Sequence, residues 1–347
     1  QMQIAKACLR TPLVPLNWQA PPGHPGEGVE VFLKLENLQP VINSFKLRGA
    51  GNACANIQAD IDEIRRRGVA TASAGNMAQG LAANAKRMGV PCTAVVPDHA
   101  PVMKLEAIER LGASIVKVPF AEWWRIIESG HCPQAPDSFF IHPVLDQHVL
   151  AGNATCGLEI LEDLPDVDAI LVPYGGGALA CGIGSVVGHL RPACRVYGCE
   201  PETAAPLARS FQEGKCSEVE YEATFIDGCG GKSVLEPMWA LAQDVLAGGF
   251  AVPLPDVVEA IRLVAERNKV IAEGAGACSV AAAMQGGAGK GKIVAVVSGG
   301  GLDTAKLVQI LSRCPHAAQN PKPSSLQCPR TQSSQEEVPS EEKEKEK

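Results

Sequence analysis

The sequence predicts an α/β protein of two domains, built on parallel sheets flanked by helices, and three observations carry that expectation. Short apolar, β-branched runs alternate with helical patterns along the body of the chain, as in βαβ units. Several of these runs end directly in a glycine-rich turn that opens a helix, as a strand does where it hands over to its crossover. The length of 347 residues exceeds what one hydrophobic core usually serves.

Taken in order, the runs at 29–36, 68–73, 92–97, 114–119, 169–173, 195–200 and 292–298 read as strands. Helical patterns lie between them at 76–88, 101–111, 152–164 and 257–268. The periodicity stops near Cys314. The segment 315–347, rich in Pro, Ser and Gln and closing on alternating Glu and Lys, has the composition of a disordered tail.

Composition excludes several classes of function. Hydrophobic residues make up 46% and charged residues 20%, enough to bury a sizeable core. Aromatics are only 4% and the formal net charge is −7, which argues against a surface for nucleic acid. The 13 cysteines are odd in number and never spaced C-x-x-C. Buried free thiols in a reducing compartment are therefore expected, rather than disulfides or zinc sites. Residues 1–18 hold no apolar signal core and no run reaches membrane-spanning length, so a cytoplasmic protein free of the membrane is expected.

The chemistry is sought at the turns. In Ser44-Phe45-Lys46-Leu47-Arg48-Gly49 a lysine stands between two apolar residues. Most lysines are solvated surface charges. A partly desolvated one has a lowered amine pKa and serves as nucleophile and base. Thr71-Ala72-Ser73-Ala74-Gly75-Asn76 reads either as a simple helix cap or as a cradle of free amides for a carboxylate. Pro173-Tyr174-Gly175-Gly176-Gly177-Ala178 allows close backbone approach to a phosphate. It lacks the spacing of a dinucleotide fingerprint or a P-loop, so a smaller phosphate ester fits better. Ser298-Gly299-Gly300-Gly301 presents a hydroxyl at the end of the last strand, and Glu273-Gly274-Ala275-Gly276-Ala277 adds a carboxylate before a helix of small residues.

In this order the motifs resemble the fold-type-II pyridoxal-phosphate enzymes, of tryptophan synthase β-like fold, and specifically the threonine/serine dehydratase and serine racemase group. The resemblance spans roughly residues 5–312 and rests on 44–49, 73–79, 175–178, 273–277 and 298–301. It implies pyridoxal 5'-phosphate held on Lys46 as a Schiff base, with Phe45 beside the ring and Asn76 on the ring hydroxyl. Gly175, Gly176, Gly177 and Ala178 would bind the phosphate, and Ser298 would face the pyridine nitrogen. Ser73, Ala74, Gly75 and Asn76 would line the substrate carboxylate site. It further implies a large domain from 1–54 and 144–314, a small mobile domain at 55–143, and a homodimer or higher homo-oligomer.

The activity implied is α,β-elimination of water from a threonine- or serine-type amino acid, releasing a 2-oxo acid and ammonia. The alternative is an amino-acid racemase with side dehydratase activity. A racemase needs a second acid/base, a serine at the position of Ala74, and alanine has no transferable proton. A β-replacement synthase and a non-catalytic cofactor binder are further readings on the same fold. Met77 and Gly301 depart from the histidine and asparagine common in this group, a change expected to alter the pocket lining. The resemblance also implies a divalent ion, Mg2+ or Ca2+: Glu200 and Ala204 match the group's pattern, and Pro206 stands at the third position.

Overall fold

A computed structural model describes residues 8–312; the tail expected at 315–347 lies outside the described residues. The ten strands are β1 (Leu13–Pro15), β2 (Val29–Leu35), β3 (Val69–Ala72), β4 (Cys92–Pro97), β5 (Ser114–Val118), β6 (Phe139–Phe140), β7 (Ala169–Pro173), β8 (Arg195–Pro201), β9 (Gly248–Val252) and β10 (Gly291–Val297). They form a six-stranded sheet of order β1-β2-β10-β7-β8-β9 and a four-stranded sheet of order β5-β4-β3-β6. Every pairing is parallel except the edge hairpin of β1 with β2. The continuous apolar runs explain this choice. β3 and β7 are buried at every residue, as strands covered by helices on both faces must be.

Among the described residues twelve α-helices cover the sheets. The first six are α1 (Lys46–Ala55), α2 (Ile61–Arg67), α3 (Asn76–Met88), α4 (Val102–Arg110), α5 (Phe120–Ser129) and α6 (Gln147–Asp163). The others are α7 (Ala178–Leu190), α8 (Pro206–Glu213), α9 (Glu236–Val245), α10 (Leu254–Leu263), α11 (Gly274–Met284) and α12 (Thr304–Leu311). None among the described residues is long and apolar enough to cross a membrane. The α6 helix starts five residues before the apolar pattern at 152–164, because the Asp146 side chain accepts the His148 and Val149 amides and caps it there. The pattern at 257–268 resolves into α10 and a π-helical turn, Val264–Asn268.

The lysine motif is itself a helix start, since Lys46 is the first residue of α1. This helix packs between α3 and α6, and the approach to α6 is close: a Cβ on Gly152 would lie 2.6 Å from the Arg48 carbonyl oxygen. Two residues beyond Lys46, on another face of the helix, Arg48 enters a fully buried charge cluster. Its guanidinium makes 2.7 Å bonds to both carboxylate oxygens of Glu36 and to both of Glu159. The Lys34 ammonium bonds Glu159 at 2.6 Å and the Thr11 carbonyl at 2.6 Å. Burial alone would push the Glu36 carboxyl up, but the charge and hydrogen bonds of Arg48 outweigh it and hold Glu36 below the ordinary range. Two cations therefore balance two carboxylates, and β2, α1 and α6 are fastened together behind the lysine.

Because β2, β10 and β7 are adjacent and parallel, the turns after them leave the same edge of the sheet. Those turns carry Lys46, Ser298 and Gly175–Gly177 respectively. Ligands of open α/β sheets bind outside that edge.

Candidate active site

Backbone pairing, rather than side chains, draws the lysine turn to the last strand. Ser44 bridges Gly299, the Phe45 amide donates to the Ser298 carbonyl at 3.0 Å, and Gly300 donates to the Asn43 carbonyl at 2.9 Å. The Lys46 ammonium nitrogen lies 5.0 Å from the centre of the Phe45 ring. Burial lowers the amine to about 8, and the nearby charge of Glu273 only partly restores it. A neutral, nucleophilic form is thus accessible near physiological pH.

At the end of β7 the glycine triplet is enforced by its surroundings. A Cβ on Gly175 would lie 2.7 Å from the Gly228 carbonyl oxygen, and one on Gly176 would lie 2.3 Å from a Val144 methyl. Gly177 has φ +94°, the left-handed region that glycine favours. The amides of Gly175, Gly176, Gly177 and Ala178 find no acceptor among the described residues. Four unpaired donors at the start of a 13-residue helix suit a phosphate. The turn is braced by His142, a residue the sequence reading passed over. Its Nδ1 accepts the Val144 and Leu145 amides and its Nε2 faces the Ile127 carbonyl at 2.9 Å. Burial, with the charge of Lys46, lowers its pKa despite that carbonyl, so the ring is a neutral strut holding Val144 against Gly176.

The loop from β3 to α3 supplies the third side. Ser73 Oγ accepts the Gly75 amide at 3.2 Å, and a Cβ on Gly75 would meet open space. Asn76, the first residue of α3, points its amide nitrogen at Glu273, 3.5 and 3.4 Å from the two carboxylate oxygens. Gly80, one turn on, lies against the Lys46 carbonyl, so this loop and the lysine belong to one cleft. Ala74 contributes a methyl group and no exchangeable proton. Ser298 is buried, and its hydroxyl has no partner among the described residues.

Met77 is 2% exposed and belongs to the apolar cluster that also holds Ala50, Leu81 and Ala178. Glu200 and Ala204, the residues matching the ion pattern, both accept hydrogen bonds within the protein. Glu200 accepts the Leu207 and Ala208 amides at 3.2 and 3.0 Å, capping α8, and burial pushes it up to about 8 against those bonds. The Ala204 carbonyl accepts the Gly231 amide, and no cluster of three metal-ligating side chains occurs among the described residues. On α5 the Trp124 ring stacks with Phe120, and Trp123 meets both rings at a tilt. The Glu273 contact with Asn76 went unforeseen, because nothing local to either residue announces a partner 197 positions away.

The residues therefore fit pyridoxal phosphate: a desolvated amine, four free amides for the phosphate, and a neutral hydroxyl and an amide side chain for the ring. Comparison with known proteins agrees. The pyridoxal-phosphate dependent enzyme family matches over residues 4–299. An L-threonine ammonia-lyase of Thermotoga maritima is 38% identical over 289 residues, covering 82% of this chain and 71% of that protein. Among solved structures, serine racemase from Dictyostelium discoideum aligns with TM-score 0.73 and 30% identity, covering 87% of this chain and 96% of that one. Threonine deaminase isoform 2 from Solanum lycopersicum aligns with TM-score 0.75 and 30% identity, covering 88% of each.

Proposed function

The chain belongs to the pyridoxal-phosphate dependent enzyme family, and on that premise we propose that it is a hydroxy-amino-acid ammonia-lyase of threonine/serine dehydratase type. The substrate is a small 3-hydroxy amino acid, and the products are a 2-oxo acid and ammonia. The observation that carries the choice of lyase over racemase is Ala74, which puts a methyl group, with no exchangeable proton, where a racemase needs an acid/base side chain.

When bound, pyridoxal phosphate supplies an electron sink for charge that develops at the substrate α-carbon. The protein does the rest. Lys46 would anchor the cofactor, and its free amine would take the substrate α-proton on Nζ. The amides of Gly175, Gly176, Gly177 and Ala178 hold the phosphate, while Ser73, Ala74, Gly75 and Asn76 receive the substrate carboxylate at the start of α3. Ser298 offers a neutral hydroxyl to the ring nitrogen, so it does not enforce a full positive charge there, and loss of the β-hydroxyl as water is favoured over amino transfer. We assign residues 55–143 to a small domain that closes over the substrate and excludes water, and expect a cytoplasmic homo-oligomer.

The test is product analysis with L-threonine and L-serine. The expected result is 2-oxobutyrate or pyruvate with an equal amount of ammonia, and little D-amino acid. In Ala74→Ser the D-isomer should rise at least roughly tenfold relative to 2-oxo acid, since the substitution restores a proton-transfer group. Predominant D-serine from the unsubstituted protein would overturn the lyase reading.

A further inference from the structure

Four glutamates are buried among the described residues. Glu36 and Glu159 are paired with Arg48 and Lys34, and Glu200 caps a helix. Glu273 differs from all three. It sits in the cleft, no cation among the described residues lies within hydrogen-bond distance, and the reaction gives it no task.

Its placement is tightly built. Glu273 stands at the start of α11 without using its side chain to cap that helix. Its amide donates to the Gly299 carbonyl at 2.9 Å. Its carboxylate lies flat on the Ser298–Gly301 turn: a Cβ on Gly299 would be 2.2 Å from Oε1, and one on Gly301 would be 3.3 Å from Oε2. From across the cleft the Asn76 amide nitrogen reaches both oxygens. The turn that presents Ser298 and the loop that presents Asn76 therefore meet at this carboxyl group. An asparagine at 301, common in the resembling group, would bring side-chain atoms against it; this chain has glycine.

We propose that Glu273 is a positioning residue that holds one titrating proton in the cleft and passes its charge state to the site through Asn76. The proposal rests on the assignment of Lys46 and Asn76 to the cofactor given above. Ionised Glu273 accepts an N–H from Asn76 and fixes the amide with its nitrogen toward α11. Protonated Glu273 donates its O–H instead, which turns the amide to offer its oxygen. The proton is exchanged with solvent, and no other bond changes.

The charged surroundings place this exchange in a useful range. Burial, then the charge of Asp227, pushes Glu273 up to about 7, while the Asn76 and Gly301 amides and the Lys104 charge pull it back. The titratable groups facing it are Lys46 from α1, Lys104 from α4, and Asp227 and Cys229 from the loop after α8. Lys104 and Asp227 are paired with each other, and of the two the Asp227 charge acts more strongly on Glu273.

The test compares holoenzyme of the unsubstituted chain with Glu273→Gln and Glu273→Asp, following the absorbance of bound cofactor without substrate. The unsubstituted protein should show a transition between about pH 6 and 8. Glu273→Gln, which keeps a donor and an acceptor but cannot titrate, should lose it, bind cofactor within about threefold of the unsubstituted affinity, and turn over roughly tenfold slower. Glu273→Asp should recover a transition. Should the Gln variant fail to fold, Asn76→Ala is expected to abolish the same transition by removing the relay. An unaltered transition in Glu273→Gln or Asn76→Ala would overturn the proposal. Failure of the Lys46 assignment would show separately, as no borohydride-stable label on Lys46 in the unsubstituted protein, and the proposal would fall with it.

Discussion

Lys46→Ala is expected to lower turnover at least roughly a thousandfold while leaving the fold intact. The loss follows from chemistry. The amine is both the anchor for the cofactor and the base at the α-carbon, and Ala74 supplies no substitute. The sparing of the fold follows from local structure. Lys46 occupies the first turn of α1, alanine is the best helix former, and the Lys46 ammonium takes part in no ion pair among the described residues. The sign of the stability effect is also set. An amine lowered from 10.5 to about 8 binds fewer protons folded than unfolded between those values, so it lowers stability at neutral pH and the deficit shrinks as pH rises through that window. The alanine variant should therefore unfold in urea at the same concentration as the unsubstituted protein at pH 7, or a higher one. Activity within tenfold of the unsubstituted protein would remove Lys46 from the mechanism.

Arg48→Ala should do the reverse, costing about 3–5 kcal/mol of stability because it strands two buried carboxylates. Both partners are almost entirely out of water, at 0% exposure for Glu36 and 7% for Glu159, and Arg48 itself is 1% exposed. After truncation only Lys34 remains to compensate Glu159, and Glu36 keeps only Thr11 and Gln39. By contrast, Arg10→Ala breaks an exposed pairing with Glu162 and Asp163 and should cost at most about 1 kcal/mol. Urea unfolding of the two variants side by side measures the difference. An Arg48→Ala loss as small as that of Arg10→Ala would mean that the buried cluster does not fasten α1.

Much of this architecture is legible in the chain because its parallel strands are written as uninterrupted apolar runs. Seven strands stand at the positions that pattern suggests. The three it does not suggest are short or disguised: β6 has two residues, β1 is a three-residue edge, and β9 begins with two glycines that carry no pattern. The glycine turns mark the cleft because close backbone approach leaves a signature in residue type. Contacts between distant side chains leave none. His142 reads as one polar residue after β6, and the Glu273–Asn76 contact joins positions far apart in sequence.

Lys46 is the residue on which the chemistry depends, and one measurement tests its role most directly. Reducing the purified, cofactor-loaded protein with borohydride and mapping its peptides by mass spectrometry should find the cofactor-derived mass on Lys46 alone. The same label on another lysine, or on none, would contradict the assignment of this site.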